Sequence, residues 1–355
     1  MEKIRFDNFV SLNRGFDLPD DKIVEGDYPV IASTSIKAYH NQYKIKAPIV
    51  VTGRSGSLGK VQYVEKDGWP LNTSLYAKDF HGNFPKYVYY FLQTMHLEQF
   101  NAGAGVPTLN QNHLHSLKII VHEKNKQEEI ANILSRYDEA IENNNKRIRL
   151  LEQMAQNLYK EWFVRFRFPG WQNVEFENGI PKGWRIEKLG NLANISTGKC
   201  NREDAEDDGV YPLFDRSQEI KLSNDWIKDC EAIIVPGEGT SFIPRYYVGK
   251  FNLHQRCYCV EPKYEKTGKF LFYTLMMNRR YFLSVATGAT VPSLRYNNFS
   301  MMKFIMPEIK ICQKYDEFVT NCFNQINILK AQNQNLTKQR DLLLPRLMSG
   351  KLEVK

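Results

Sequence analysis

Gly103-Ala104-Gly105-Val106-Pro107-Thr108-Leu109 returns 185 residues later as Gly288-Ala289-Thr290-Val291-Pro292-Ser293-Leu294, and Asn112 and Lys118 return with it as Asn297 and Lys303. Upstream the offset is 183. Lys86-Tyr87-Val88-Tyr89-Tyr90-Phe91-Leu92 becomes Lys269-Phe270-Leu271-Phe272-Tyr273-Thr274-Leu275, Tyr28-Pro29-Val30 becomes Tyr211-Pro212-Leu213, Gly15 becomes Gly198 and Asn41 becomes Asn224. A single match would carry no meaning. Ordered matches at a nearly constant offset describe one module used twice, with two residues added to the second copy just after the aromatic segment.

Within each copy, short runs rich in Val, Ile and Tyr end in Gly-containing turns and read as strands: Ala47-Pro48-Ile49-Val50-Val51 and Glu231-Ala232-Ile233-Ile234-Val235 are the clearest. The aromatic segments around Tyr87 and Phe270 are long enough for a helix. Each copy is therefore a mixed α+β domain.

A different pattern follows each copy. Ile130, Leu134, Tyr137, Ile141, Asn144, Ile148, Leu151, Ala155, Leu158 and Trp162 are spaced by alternating fours and threes, the seam of a coiled coil. Adding 185 gives a weaker seam in phase with it: Tyr315, Val319, Cys322, Ile326, Leu329, Asn333, Leu336, Arg340, Leu343 and Leu347. A helix of about 33 residues spans roughly 50 Å, more than a domain of this size covers, so much of it needs another partner. Antiparallel pairing in full overlap makes facing numbers total 477, which sets Asn144 opposite Asn333. A parallel pairing would set Asn144 beside Leu329 and leave each asparagine against an aliphatic residue. The breakers Phe168-Pro169-Gly170 and Gly179-Ile180-Pro181-Lys182-Gly183-Trp184 mark entry to the second domain, and Pro345 is expected to kink or fray the last turn of the second helix.

The chain of 355 residues, 42% hydrophobic and 25% charged, has apolar material for two cores. No apolar run approaches the roughly 20 residues of a membrane helix and the first residues lack the apolar stretch of a signal peptide, so a cytoplasmic location is expected. The six cysteines all follow residue 199, contain no CxxC pair and read as reduced, partly buried thiols. Cys257 and Cys259 flank Tyr258 and would share one face of a strand.

Catalytic motifs are missing. Gly53-Arg54-Ser55-Gly56-Ser57-Leu58-Gly59-Lys60 resembles a phosphate-binding loop, but Val61 stands where Ser or Thr would hold magnesium, and a strand turn is the better reading. There is no Asn-Pro-Pro-Tyr, HExxH or Gly-x-Ser-x-Gly segment, and Glu261-Pro262-Lys263 lacks the other half of a nuclease motif. Six of the seven histidines lie in the first copy without an echo in the second.

The net charge of +8 is spread unevenly: half of the excess lies beyond residue 309, and the two modules are nearly neutral. Local clusters say more. Lys37, Lys44, Lys46, Arg54 and Lys60 in the first copy, and Arg216, Lys221, Arg245, Lys250 and Arg256 in the second, lie between turn glycines and polar Ser, Thr, Asn and Gln. Such side chains suit phosphates and base edges. With Arg295, the residues Lys37, Arg54, Lys60, Arg216, Lys221, Arg245 and Arg256 are the candidate DNA contacts.

Leu158-Tyr159-Lys160-Glu161-Trp162-Phe163-Val164 running into Phe168-Pro169-Gly170, Pro181-Lys182-Gly183-Trp184, the two Val-Pro-(Thr/Ser)-Leu segments and the ending Leu344-Pro345-Arg346-Leu347-Met348-Ser349-Gly350-Lys351-Leu352 resemble the specificity subunits of type I restriction-modification systems. The resemblance spans essentially the whole chain in the right order. It implies two duplicated α/β target recognition domains, 1–124 and 167–309, each reading half of a split, asymmetric double-stranded DNA target. They are separated by two long helices, 125–166 and 310–355, that form an antiparallel coiled coil. Ile130, Leu134, Ile141, Asn144, Ile148, Leu151 and Leu158 would then pair with Ile326, Leu329, Asn333, Leu336 and Leu343. The resemblance further implies docking of methyltransferase subunits, two of them, and through them restriction subunits. No catalytic residue, metal or cofactor is expected on this chain, with S-adenosylmethionine, ATP and magnesium on the partners. A duplicated non-catalytic scaffold for protein partners is the competing class, supported by the near-neutral modules. A cryptic nuclease or methyltransferase is a third, and lacks its residues.

Overall fold

A Val- and Ile-rich run of each copy becomes the central strand of its sheet. Ile49–Gly53 is buried at every position, as are residues 232–236 of Lys228–Pro236. Continuous burial rather than alternation marks strands covered on both faces. In the computed structural model, which describes residues 1–103 and 105–354, Ile49–Gly53 pairs with Val61–Val64 on one side and Ser74–Asp79 on the other, and Ser11–Arg14 completes the sheet. In the second copy Lys228–Pro236 lies between Arg245–Leu253 and Cys257–Pro262, with Ala193–Thr197 outside. The strand order is the same.

A second ribbon also repeats. Tyr28–Ile31 pairs antiparallel with Ile36–His40 and parallel with Trp69–Pro70; Tyr211–Phe214 pairs antiparallel with Lys221–Ser223 and parallel with the end of Arg245–Leu253. The parallel registers Val30 to Trp69 and Leu213 to Asn252 differ by the sequence offset of 183. In the first copy the chain turns between Val64 and Trp69, at Asp67-Gly68, and the sheets stay separate. The second copy has Lys250-Phe251 there, the Phe251 ring is buried, and one strand runs through to make a six-stranded sheet. Asp-Gly favours a turn where Lys-Phe favours continued strand.

The aromatic segments form the helices Pro85–Thr94 and Gly268–Met277. Pro85 opens the first, where its missing N–H costs nothing. Tyr87, Val88, Tyr90, Phe91 and Leu92 pack into a core with Phe6 and Phe9; Phe270, Leu271, Tyr273 and Leu275 do the same with Trp184, Val235 and Phe299. Cys257 and Cys259 are both buried beside Phe214 and Phe251, on one face as the sequence suggests, and all six cysteines are free thiols.

The two long helices are Lys124–Tyr159, which ends in a wide π-type turn over Lys160–Val164, and Ile309–Met348. The second continues as helix through Pro345, so its last turn is not frayed. Leu344, Leu347 and Met348 are buried in the first module's core, and Ser349 N–H donates to the Pro345 carbonyl, so packing holds the turn that proline weakens. Ala104 of the repeated 103–109 segment, and Lys355, lie outside the described residues.

The chain forms two compact units, Met1–Asn145 with Lys330–Lys355, and Lys146–Leu329. The divide falls within both helices because each module's core takes up the nearest helical turns. In the first unit Ile130, Leu134, Leu344 and Leu347 join Phe6 and Tyr87. There Asn144, 8% exposed, donates to Asn333 Oδ1 at 3.0 Å, Asn333 donates to Asn145 at 2.9 Å, and Arg340 donates to Asp138 at 2.5 Å. In the second unit Ile148, Leu151, Ile326 and Leu329 cluster, Leu158 and Val319 share the main core, and the Tyr315 hydroxyl donates to the Ala155 carbonyl at 2.9 Å. In the first unit Asp138 meets Arg340 and Asn144 meets Asn333, and in the second Ile148 and Leu151 cluster with Ile326 and Leu329 while Ala155 meets Tyr315, so numbers rise on one helix as they fall on the other, the antiparallel sense.

Candidate nucleic-acid interface

The central strand of each module leaves its sheet into a corner built to one backbone pattern. In the first unit Arg54 N–H donates to Thr73 O at 2.8 Å, Leu109 N–H to Arg54 O at 2.8 Å and Gly56 N–H to Pro107 O at 3.0 Å. In the second, Gly237 N–H donates to Arg256 O at 2.8 Å, Leu294 N–H to Gly237 O at 2.7 Å and Gly239 N–H to Pro292 O at 3.0 Å. Every pair is related by the offsets 183 and 185. The repeated Val-Pro-(Thr/Ser)-Leu segments are thus clamps that fix these corners, with Ser55 bridged to Thr108 and Glu238 to Ser293. Gly56 at φ +86° and Gly239 at φ +123° make the same left-handed step, which glycine takes without strain.

The side chains on this shared frame differ. In the second unit the Glu238 side chain is 13% exposed and lies between two arginines, accepting from Arg216 at 2.8 Å and from Arg256. Burial alone would raise its pKa, but the two guanidiniums outweigh burial and hold the carboxyl below the usual carboxylate range. Both arginines are about half exposed. Arg202, His254, Ser217 and Val291 complete the cleft around them. His254 accepts from the Arg256 N–H at 3.0 Å, and burial, with Arg216 nearby, lowers its pKa and favours the neutral ring.

Arg245 and Lys221 lie behind that cleft with partners inside the protein. Arg245 donates to Ser217 O at 2.8 Å and Asp215 O at 2.5 Å and stacks on Phe214 at 4.9 Å. Lys221 pairs with the Asp215 carboxylate at 3.0 Å, both side chains mostly buried. The first unit shows what these positions do. Gln62, the counterpart of Arg245, donates to Ala32 O at 2.7 Å, the counterpart of the same carbonyl, and Ala32 and Ala38 replace Asp215 and Lys221.

In the first unit the three cleft positions are Ser33, Ser55 and Thr73. The Ser33 hydroxyl, 9% exposed, lies 2.8 Å from Thr73 O and 3.3 Å from Ser55 O. Among the sequence-predicted contacts here, Lys60 is exposed, Arg54 is half-buried and reaches Asn72 O at 3.4 Å, and Lys37 pairs with Asp20. Arg295 is exposed directly after the second clamp. The structure thus gathers Arg216, Lys221, Arg245 and Arg256 around one corner, sets Arg54 on the matching corner, and leaves Lys37 on the ribbon Ile36–His40. Glu238, Arg202 and His254 line the same cleft and are not among the sequence-predicted contacts. The signal for Glu238 was a carboxylate between two glycines at a strand end, aligned with Ser55. Among the described residues no group of three or more His, Cys, Asp or Glu could hold a metal ion, and no helix is long and apolar enough to cross a membrane.

A family model described as the type I restriction modification DNA specificity domain matches residues 2–153 and 181–338. The chain is similar to the type I restriction enzyme MjaIX specificity subunit of Methanocaldococcus jannaschii, at 26% identity over 87% of this chain and 78% of the relative. It is also similar to the EcoDI specificity subunit of Escherichia coli, at 31% identity over 49% of this chain and 39% of that protein. Its fold matches the crystal structure of the type I restriction-modification system S subunit from M. genitalium, with TM-score 0.64, 18% identity, and 100% of this chain and 96% of the other covered.

Proposed function

Because the chain belongs to the family of type I restriction-modification DNA specificity domains, non-catalytic subunits that recognise DNA targets, we propose that its two modules, residues 1–124 and 167–309, read different halves of one split target. The helices at 125–166 and 310–355 act as the spacer between the halves and as the dock for methyltransferase subunits, two of them, and through these for restriction subunits. S-adenosylmethionine binds to the methyltransferase partners, and ATP and magnesium to the restriction partners.

The observation that carries this reading is the pair of matching corners with unlike side chains. A shared frame presents Ser33, Ser55 and Thr73 in one copy and Arg216, Glu238 and Arg256 in the other, so a common docking geometry meets two different base sequences. Arg54, Lys60, Arg202 and Arg295 supply phosphate or base contacts around these corners, and Lys37 contacts the flank. Lys221 and Arg245 shape the second corner from behind.

Random-sequence selection with the complex of this chain and its methyltransferase partner tests the reading. The expected result is two short specified segments, unlike each other, separated by an unspecified gap. A contiguous or palindromic target, or no selected sequence, overturns it.

A further inference from the structure

We propose that Arg216, Glu238 and Arg256 are a guanine-reading set in the second module, and that Ser33, Ser55 and Thr73 occupy the same three positions in the first as a set that does not read guanine. The proposal rests on the DNA-reading function above and goes beyond it by assigning residues and a base.

The positional identity comes from hydrogen bonds. Ser33 and Arg216, Ser55 and Glu238, and Thr73 and Arg256 are each separated by 183 residues. The backbones of 73 and 256 accept from 54 and 237, and residues 55 and 238 are bridged to 108 and 293. The three residues also converge in both copies: the Ser33 hydroxyl donates to the backbone carbonyls of Ser55 and Thr73, and the Glu238 carboxylate joins the Arg216 and Arg256 side chains. One module closes this junction with the Ser33 hydroxyl on two backbone carbonyls and the other with two guanidiniums on a carboxylate.

The carboxylate separates base reading from phosphate binding. A site that only neutralises phosphates gains nothing from Glu238, which cancels one of the two positive charges and would repel a phosphate brought close. A site that reads a base gains geometry. Each arginine has five N–H donors in a planar fork and gives only part of it to Glu238, leaving an edge for the O6 and N7 acceptors that guanine shows in the major groove. Tying both forks to one mostly buried carboxylate fixes their direction before DNA arrives. Glu238 is therefore a positioning residue. In the first module the Ser33 hydroxyl is within donating distance of backbone carbonyls, and no cation occupies the three positions. Those three positions lack the guanine fork.

The test uses the full chain with its methyltransferase partner and compares the wild type with three variants by random-sequence selection and competition binding. Carrying the first module's set into the second (Arg216→Ser, Glu238→Ser, Arg256→Thr) should make one or two guanines of one half-site degenerate, with discrimination falling about tenfold per position. The other half-site and the gap should be unchanged. Arg216→Lys with Arg256→Lys keeps the charge but loses the fork, so guanine discrimination should fall while binding to unrelated DNA persists; this variant serves if the triple change does not fold. Glu238→Gln should raise affinity for unrelated DNA, by removing a negative charge, and lower guanine discrimination together, an opposed pair of changes that a merely structural role would not give. The proposal is overturned if the wild-type half-site contains no affected guanine. It is also overturned if the variants lose affinity equally for all sequences with a shallower salt dependence, the mark of phosphate contacts. In both cases the bipartite target survives, so this failure is distinct from failure of the function itself, in which no sequence is selected at all.

Discussion

Replacing Asn144 by leucine leaves Asn333 facing an apolar side chain, and replacing both removes the polar layer altogether. In the structure Asn144 is nearly buried and donates to Asn333 at 3.0 Å, while Asn333 is half-buried and donates to Asn145 at 2.9 Å. The single change deletes the hydrogen bond to Asn333, about 1 kcal/mol net, with a long 3.5 Å one to Gln332 that adds little, and partly strands the Asn333 carbonyl oxygen, a penalty at the low end of about 1–3 kcal/mol because that residue keeps a partner and some water. The first unit should therefore lose roughly 1–2 kcal/mol, and its melting temperature should fall by about 2–8 °C, given about 2–4 °C per kcal/mol for a unit of this size. The double change, Asn144→Leu with Asn333→Leu, should recover or exceed the wild-type value, because a polar layer in a helix seam fixes register at a cost in stability. Differential scanning calorimetry of the full chain reads both. Disulfide trapping of Asn144→Cys with Asn333→Cys, against Asn144→Cys with Leu329→Cys as control, reads the register directly. A double variant less stable than either single, or faster trapping of the control pair, would refute the reasoning.

Two further outcomes are expected. Hydrogen bonds from Ser217 and Lys221 overcome burial and bring the Asp215 carboxyl down to about 2; with a folded pKa below the unfolded value of about 3.9, it contributes roughly 2 kcal/mol above about pH 4 that is lost as pH falls toward 2. Acid unfolding of the second unit, followed by circular dichroism, should be shallower for Asp215→Asn, which should also be less stable at pH 7 because Lys221 loses its partner. The purified chain alone should transfer no methyl group to DNA even at stoichiometric levels, and radiolabelled S-adenosylmethionine checks this; incorporation that survives removal of all partner subunits would contradict it.

The duplicated fold is legible in the sequence because the residues that recur are those the backbone frame needs. Val-Pro-Thr-Leu and Val-Pro-Ser-Leu clamp the end of the central strand, the aromatic segments fill the core, and the asparagines meet in the seam. The corner proposed to read DNA is less legible. Arg216, Glu238 and Arg256 are far apart in sequence, and only the fold joins them. Lys221 and Arg245 read as free cations because composition does not show that one pairs with Asp215 and the other grips the Asp215 carbonyl, a task done by Gln62 in the first copy. Pro345 misleads for a similar reason: its local preference is overridden by the burial of Leu344 and Leu347.

That two reading modules are spaced by paired helices is tested most directly by inserting one heptad into both helices and measuring the target selected by the assembled complex. Seven residues lengthen the spacer by about 10 Å, or roughly three base pairs, and move the second contact about a third of the way around the duplex. Selection should then either yield a gap longer by about that amount with both half-sites intact, or show sharply weakened binding. Full affinity for the original gap would contradict the claim.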